Sequence, residues 1–189
     1  MAKIRTFVAV DVPPRIQNSA ARLIEKMQSD ATGYRWNNPE NLHIGLNFLG
    51  DVLENETPQV CRLVSKACNG VAAFPIEVGQ LGCFPSDEKP RTIWLGVTEG
   101  AEFLVDLNDR IATELAEMGF PRDRQDYHPH VILGRIQRGG HWSQALVESR
   151  RQHENHLAGG CVINQVVVYS SFMDRVGPTY TPMSRINLR

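Results

Sequence analysis

The chain has 189 residues, of which 42% are hydrophobic and 22% are charged, and these values are typical of a globular protein rather than a disordered one. The formal net charge of -1 excludes a global positive field for tight non-specific binding to long nucleic acid, but it leaves room for a local basic cleft. No apolar run approaches the roughly 20 residues that span a bilayer. The four cysteines have neither metal-type nor redox-type spacing, and the N-terminus does not resemble a signal peptide. We therefore expect a cytoplasmic protein.

The first half of the chain reads as alternating strands and helices. A β-branched and aromatic run at residues 4–10 predicts a strand that stops at Pro13-Pro14. Apolar residues at helical spacing predict a helix from Ile16 to about Gln28. A short strand at 34–36 and a histidine-led strand at 43–50 follow. Thr57-Pro58 is typical of an N-cap with proline at the next position, and it opens a helix that we extend to about residue 71.

The second half continues in the same way. Alternating and apolar runs predict strands at 74–81, 92–97, 130–135, 162–169 and near the C-terminus, with a polar loop at 82–90. Helices are predicted at 103–118, where Gly119 occupies the αL capping position, and at 142–156. The resulting order is β-α-β-α-β-β-α-β-α-β-β. It indicates an α+β fold with two pseudo-symmetric lobes of antiparallel sheet, outer helices and a central cleft.

Two histidine-led strands have the same pattern of side chains. Because side chains alternate along a strand, His43 is predicted to share one face with Gly45 and Asn47, and the core face is predicted to hold three apolar side chains: Ile44, Leu46 and Phe48. By the same count, His130 shares a face with Ile132, and the core face holds Val131 and Leu133. Both imidazoles therefore point away from the core, and the two could meet across a pocket.

Two facing histidines suit general acid-base chemistry. Histidine has an unperturbed pKa of about 6.5, so one neutral and one protonated copy can coexist near neutral pH. The neutral imidazole can take a proton from water or a hydroxyl while the imidazolium gives one to a departing oxygen, as phosphodiester transfer at a ribose requires. The structural alternative is a pair of satisfied histidines at strand ends, and the residues alone leave both possibilities open.

The chain resembles the two-histidine phosphoesterase superfamily, and within it the RNA 2',3'-cyclic phosphodiesterases, also called 2'-5' RNA ligase-like proteins. The motifs that carry the resemblance run along nearly the whole chain: residues 5–14, Trp36, Glu40-Asn41-Leu42-His43 with Phe48-Leu49-Gly50, Gly82 with Phe84-Pro85, residues 94–97, Gly119-Phe120, Pro129-His130 with Leu133-Gly134-Arg135, residues 168–171 and residues 177–180.

The resemblance implies one bilobal domain over residues 1–189 and metal-independent hydrolysis of RNA 2',3'-cyclic phosphate ends to 2'-phosphates, with no cofactor. It also implies that His43 protonates the leaving 3'-oxygen and that His130 activates water. The expected partners are RNA ends or 2',3'-cyclic nucleotides, including tRNA fragments, and we expect a monomer without membrane association. The alternative function is a catalytically impaired protein of the same fold that binds nucleotides or RNA ends.

The sequence departs from the family pattern at the phosphate-binding positions. The threonine expected two residues after each histidine is Gly45 in the first motif and Ile132 in the second. A hydrogen bond to a charged group contributes roughly 1.5–3 kcal/mol, so two lost hydroxyls predict activity reduced by about 10²–10⁴-fold. Asn47 replaces a basic residue of many relatives.

We hypothesise that Ile132 leans into the space beside Gly45, and that backbone N–H groups or Arg124 hold an off-axis phosphate. Tyr127 is a candidate for stacking on a base, with ordinary packing as its alternative. His128 and His130 form an H-x-H pair, but the sequence lacks the other ligands of a metal site. Strand parity turns Arg135 away from His130 unless a bulge intervenes.

Overall fold

The computed structural model describes residues 2–31, 33–121, 127–173 and 177–189. Within these residues nine strands form one sheet in which neighbouring strands are antiparallel. The strands are β1 (Lys3–Asp11), β2 (Tyr34–Trp36), β3 (His43–Leu53), β4 (Phe74–Ser86), β5 (Lys89–Glu99), β6 (His130–Ile136), β7 (Leu157–Ile163), β8 (Gln165–Met173) and β9 (Pro178–Asn187). The helices are α1 (Pro14–Met27), α2 (Thr57–Ala67), α3 (Ala101–Leu115) and α4 (Gln144–Gln152).

The sheet has two halves that meet at β3 and β6. Its order is β7-β4-β5-β6-β3-β1-β8-β9, and β2 pairs separately with β6. We call β9, β8, β1 and β3 the first half, and β6, β5, β4 and β7 the second half. Among the described residues a single register pair, Ile44 opposite Val131, joins β3 to β6. Each half therefore contributes one histidine-led strand to the seam, which confirms the predicted α+β, two-lobed antiparallel architecture.

The helices cover one face of the curled sheet. Each helix has an apolar stripe, such as Leu104, Leu107, Ile111 and Leu115 in α3, that packs into the main core against alternate strand residues such as Ile44 and Val131. Both of those strand residues are fully buried. On the opposite face the sheet carries a smaller apolar cluster formed by Phe7, Ala9, Val167 and Tyr169. None of the described helices combines the length and apolar character needed to cross a bilayer.

Local signals explain most element boundaries. Proline at the first position of α1 costs no hydrogen bond, because the first N–H groups of a helix lack intrahelical partners. Gly119 ends the helical segment after α3 with a φ of 81°, as predicted from its αL position. The Ser143 side chain caps α4 by accepting a hydrogen bond from the Leu146 N–H at 3.0 Å. Thr57 is the first residue of α2 rather than its cap.

Two sequence-based boundaries were wrong. The segment 82–90 is not a polar loop, because β4 continues to Ser86 and β5 begins at Lys89. Cross-strand pairing of these two extensions satisfies backbone groups that a loop would expose to water. The predicted strand 162–169 is two strands that separate at Asn164, and Val162 is 62% exposed on β7. The continuous apolar run hid this break.

Matching bulges interrupt β3 and β6. On β3, Gly45 pairs with Ala9 and Asn47 with Val8, so Leu46 is the extra residue. On β6, Ile132 pairs with Trp94 and Gly134 with Ile93, so Leu133 is the extra residue. Each bulge lies three residues after a histidine. A bulge reverses the alternation of side chains beyond it, so the fifth residue after each histidine returns to the histidine's own face of the sheet.

Candidate two-histidine site

His43 and His130 lie on the sheet face opposite the helices. His43 immediately precedes Ile44, and His130 immediately precedes Val131. Ile44 and Val131 pair across the seam and point into the helix-covered core. Continuing the antiparallel register by one residue makes the two histidines diagonal neighbours, a relation that in a regular sheet corresponds to about 7–8 Å. This spacing is suitable for a small anion between the two rings.

The two rings are held in the same way. The Nδ1 of His43 is 2.8 Å from the carbonyl oxygen of Asn41, and the Nδ1 of His130 is 2.6 Å from the carbonyl oxygen of His128. A carbonyl accepts a hydrogen bond, so each Nδ1 carries its proton and the neutral ring leaves its Nε2 lone pair available. Each Nε2 can therefore exchange a proton with a bound molecule.

Burial favours the neutral form of both rings, but the neighbouring charges differ. Desolvation is the largest cause that lowers the pKa of His43, and the hydrogen bond to Asn41 and the charge of Asp11 act in the opposite direction. Desolvation also lowers the pKa of His130, where the bond to His128 opposes it and the charge of Arg135 lowers the pKa further. Of the neighbouring charges, Asp11 therefore favours the protonated form of His43, whereas Arg135 favours the neutral form of His130.

Aromatic rings form the wall around His43. Phe7 stacks on the imidazole with ring centroids 5.0 Å apart, and Tyr180 meets the imidazole edge-on at 5.3 Å. Tyr169 stacks on Phe7, lies 6.4 Å from the imidazole and donates its hydroxyl to Asp11 at 2.7 Å. These rings come from β1, β8 and β9, so the environment of His43 depends on strands from both ends of the chain.

The wall around His130 comes from the β4–β5 hairpin. Phe84 meets the imidazole edge-on with centroids 5.4 Å apart, and Trp94 lies at 5.8 Å. Gly82 makes room for Trp94, because a Cβ at this position would lie 2.2 Å from the indole ring. The tip of the hairpin is fixed by Asp87, which forms an ion pair of 2.9 Å with the buried Arg150 of α4.

Phe48 is on the histidine face, and its predicted place in the core was wrong. The β3 bulge turns its ring back over Gly45, where an added Cβ would lie 2.6 Å from the ring. The ring also stacks on Phe7 at 5.8 Å and is 70% exposed. The three atoms nearest to the missing Cβ all belong to Phe48, so Phe48 fills this space rather than Ile132, contrary to our hypothesis.

Asn47 was also predicted on the wrong face. It pairs with Val8, a core residue, and its Nδ2 lies 3.4 Å from the carbonyl oxygen of Asn108 on α3. The Asn108 amide in turn donates to the carbonyl of Leu46 at 2.7 Å. Asn47 therefore helps to attach the bulge to the helix layer, and it does not extend into the cleft.

The remaining candidates have different positions. Tyr127 packs against the main core and donates its hydroxyl to the carbonyl of Gly45 at 2.8 Å, so packing rather than base stacking describes it. Burial raises the pKa of this hydroxyl. Ile132 is half-buried on the histidine face, and its carbonyl accepts a hydrogen bond of 2.7 Å from Asn37. Arg124 lies outside the described residues.

Arg135 returns to the histidine face because of the β6 bulge. Its charge lowers the pKa of His130, and the bulge that strand parity left as the exception is present. Phe48 and Arg135 therefore occupy equivalent positions, five residues after His43 and His130. The sequence contains the equal spacing but no signal for the bulges. Among the residues that the structure describes, no cluster of three or more His, Cys, Asp or Glu side chains could hold a metal ion.

Comparison with known proteins agrees with this geometry. A profile of the family described as LigT like Phosphoesterase matches residues 10–94. The RNA 2',3'-cyclic phosphodiesterase of Methanothermobacter thermautotrophicus is 32% identical over 98% of this chain and 100% of its own length. The protein with the same name from Aquifex aeolicus is 30% identical over 100% of this chain and 99% of its own length.

Solved structures show the same fold. A protein of Thermus thermophilus superposes with a TM-score of 0.82 at 23% identity, over 98% of both chains. E. coli LigT complexed with 3'-AMP superposes with a TM-score of 0.78 at 22% identity, again over 98% of both chains. The architecture is therefore that of a LigT-type phosphoesterase. The chain belongs to the LigT-like phosphoesterase family, together with the curated RNA 2',3'-cyclic phosphodiesterases that it resembles along its whole length.

Proposed function

We propose that the protein hydrolyses 2',3'-cyclic phosphate ends of RNA to 2'-phosphates, with His43 and His130 as the acid-base pair. The observation that carries the proposal is the matched pair of imidazoles at the seam, each with Nδ1 on a backbone carbonyl and Nε2 available. The names of the family relatives agree with this chemistry. Because the proposed site lies between the halves, we also propose that residues 1–189 act as one domain.

In the proposed reaction, water attacks the phosphorus while the Nε2 of His130 takes one of its protons. The bond between phosphorus and the ribose 3'-oxygen breaks, and the Nε2–H of His43 donates a proton to that oxygen. The product carries a 2'-phosphate and a free 3'-hydroxyl. The pair ends with its protons exchanged, and solvent restores the starting state. No further co-reactant is needed for this balance.

The neighbouring charges support this division of roles. The Asp11 carboxylate favours the protonated form of His43, as an acid requires, whereas Arg135 favours the neutral form of His130, as a base requires. A bound phosphate anion between the rings would further stabilise the imidazolium of His43. The proposal therefore assigns the acid to the first half of the sheet and the base to the second half.

The bulged strands provide further candidate contacts. The exposed Phe48 ring offers a flat apolar face on which a terminal base can stack. Arg135 brings a guanidinium to the histidine face, where it can form bidentate hydrogen bonds with phosphate. Neither Gly45 nor Ile132 offers a hydroxyl, so we expect turnover to be slower than with hydroxyls at both positions.

The test is turnover of a nucleoside 2',3'-cyclic phosphate and of a short RNA with a cyclic end, measured with a chelator present. We expect the purified protein to form only the 2'-phosphate, and we expect His43→Ala and His130→Ala each to lower kcat by about 10³-fold. His141→Ala serves as the matched control, because His141 is exposed and lies outside the proposed site.

The outcome separates the proposed function from its alternatives. Binding of the RNA end without turnover would support the impaired binding protein instead. Loss of activity with chelator would show that the reaction depends on a metal ion. Equal activity of His43→Ala, His130→Ala and His141→Ala would exclude the acid-base pair altogether.

A further inference from the structure

A second pocket lies next to the histidine site. It encloses about 310 Å³ and is lined mainly by polar side chains and by the start of β9: Arg35, Trp36, Asn37, Asn38, Asn41 and residues 177–180. Two of these residues also contact His43. The Asn41 carbonyl accepts the Nδ1 hydrogen bond, and the Tyr180 ring meets the imidazole edge-on. The pocket and the histidine site therefore share a wall.

Positive charge is concentrated around this pocket. Arg35 on β2 lies directly opposite Arg135 on β6, and like charges in that position repel each other. The Arg35 guanidinium reaches across to Gly177, where an added Cβ would lie 2.5 Å from one of its nitrogens. Arg5 lies on the same sheet face, two residues before Phe7 on β1, with Ser171 as its partner on β8.

The same three arginines influence the Tyr180 hydroxyl. Burial raises its pKa, and the charges of Arg135, Arg35 and Arg5 all act in the opposite direction. Three cations from three different strands thus act on one phenol at the boundary between the two sites. An anion bound beside Tyr180 would lie near all three cations and could accept hydrogen bonds from guanidinium and amide groups.

We propose that this pocket binds the backbone phosphodiester on the 5' side of the terminal nucleoside, with Arg35 as its main cation and Arg5 as a second. The inference rests on the proposed function and specifies its substrate as an RNA strand rather than a mononucleotide. A cyclic mononucleotide without a 5'-phosphate places one phosphate between the histidines and leaves the second pocket without an anion. A strand places its next phosphate on the other side of Tyr180.

Binding of reaction products tests the pocket without depending on turnover. Four ligands are compared: a nucleoside 2'-phosphate, the same nucleoside with an added 5'-phosphate, a dinucleotide with a terminal 2'-phosphate, and that dinucleotide with a neutral methylphosphonate linkage. The two dinucleotides differ in one negative charge and share both bases. The ratio of their Kd values therefore measures recognition of the phosphodiester separately from stacking of the second base.

We expect the charged dinucleotide to bind about tenfold more tightly than its methylphosphonate analogue, as is typical of a charge-assisted contact. For the charged dinucleotide, the plot of log Kd against the logarithm of the salt concentration should be steeper by about 0.7, because one additional phosphate is bound. In Arg35→Gln the two dinucleotides should bind within about twofold of each other, and Arg5→Gln should reduce the ratio partially. Arg110→Gln, which removes an exposed charge on α3, should keep the tenfold ratio.

Arg5→Gln provides the test if Arg35→Gln fails to fold in a thermal melt. Equal binding of the two dinucleotides by the unaltered protein would overturn the proposal, and so would a ratio that persists in both variants. Tight binding of the 5'-phosphorylated nucleoside, equal to that of the charged dinucleotide, would assign the pocket to a terminal phosphate instead of a strand. If the protein shows no turnover but binds the charged dinucleotide more tightly than its methylphosphonate analogue, the result would support this inference and contradict the proposed function.

Discussion

His43 and His130 have nearly the same backbone setting but different surroundings. In both cases the carbonyl of the residue two positions before the histidine accepts the hydrogen bond from Nδ1. A buried leucine three positions after the histidine forms the bulge, and the residue five positions after it therefore returns to the histidine face. That fifth residue is the exposed aromatic ring of Phe48 in one half and the cation of Arg135 in the other. The carboxylate of Asp11, which acts to raise the pKa of His43, has its effect in the first half of the sheet. The backbone therefore orients the two rings equally, and the neighbouring side chains distinguish their chemistry.

The largest expected effect comes from removing the need for an acid. A nucleoside 4-nitrophenyl phosphodiester releases a phenolate that leaves without protonation. If His43 is the acid, His43→Ala should lose about 10³-fold in kcat on the cyclic phosphate but less than about tenfold on this ester. His130→Ala should lose about 10³-fold on both substrates. Steady-state kinetics of the two variants on the two substrates give this comparison.

The opposite pattern, with His130→Ala rescued by the good leaving group, would reverse the assigned roles. Equal losses in all four measurements would show that the two halves are not specialised. Circular dichroism of each variant provides the control for folding.

A smaller effect should follow from restoring one hydroxyl. Ile132→Thr adds a donor on the histidine face, and we expect a gain of about tenfold in kcat, because a hydrogen bond to a charged group contributes about 1.5 kcal/mol or more. Gly45→Thr should instead reduce activity, because its Cβ would collide with the Phe48 ring.

Ile132→Val is the matched control for the threonine substitution, since it changes the side-chain volume without adding a hydroxyl. Equal kcat values for the valine and threonine variants would contradict a role for the hydroxyl. A gain in Gly45→Thr would contradict the steric role that we assign to Phe48.

The pH dependence should respond in opposite directions to changes in the two halves. The pKa of each ring is lowered, so the kcat/KM profile of the free enzyme should reach its maximum below about pH 6.5, the usual histidine value. Arg135→Gln removes a charge that lowers the pKa of His130, so the acidic limb should move to higher pH. Asp11→Asn removes a charge that raises the pKa of His43, so the alkaline limb should move to lower pH.

These shifts are measured as kcat/KM across the pH range in which the protein remains folded. Movement of the same limb in both variants would show that Arg135 and Asp11 influence the same ring. The assignment of one charge to each histidine would then be wrong.

The smallest expected effect concerns the support of the His130 wall. The buried guanidinium of Arg150 contacts Asp87 at 2.9 Å and the Leu81 carbonyl at 3.2 Å. Asp87→Ala leaves this cation without its carboxylate, but Asp87 is half-exposed and water can replace part of the contact. We therefore expect the free energy of unfolding in urea to fall by about 1 kcal/mol.

Asp106→Ala is the matched control, because it breaks the exposed Asp106–Arg110 pair of α3, for which we expect almost no change. An equally small change for Asp87→Ala would show that Arg150 does not depend on Asp87.

The sequence predicted the parts of the molecule that depend on local pattern. Apolar periodicity identified the helices and most strands, Gly119 identified a helix end, and the repeated histidine strand predicted two halves that meet at a site. The bulges at Leu46 and Leu133 could not be predicted, because an extra residue in a strand is defined by its partner strand rather than by its own composition. The positions of Asn47, Phe48 and Arg135 depend on those bulges, and strand parity without a bulge misplaces all three.

The connectivity of the two halves sets the order in which the site can be completed on the ribosome. The strands of the second half, β4 to β7, form one continuous stretch of the chain, whereas the first half combines β1 and β3 with β8 and β9. During translation the surroundings of His130 emerge as a unit, but Tyr169 and Tyr180 reach His43 only after nearly all of the polypeptide has left the exit tunnel. A nascent chain whose first seven strands have emerged while β8 is still inside the tunnel would therefore hold the proposed base in its finished environment, and the proposed acid would still lack two of its aromatic neighbours.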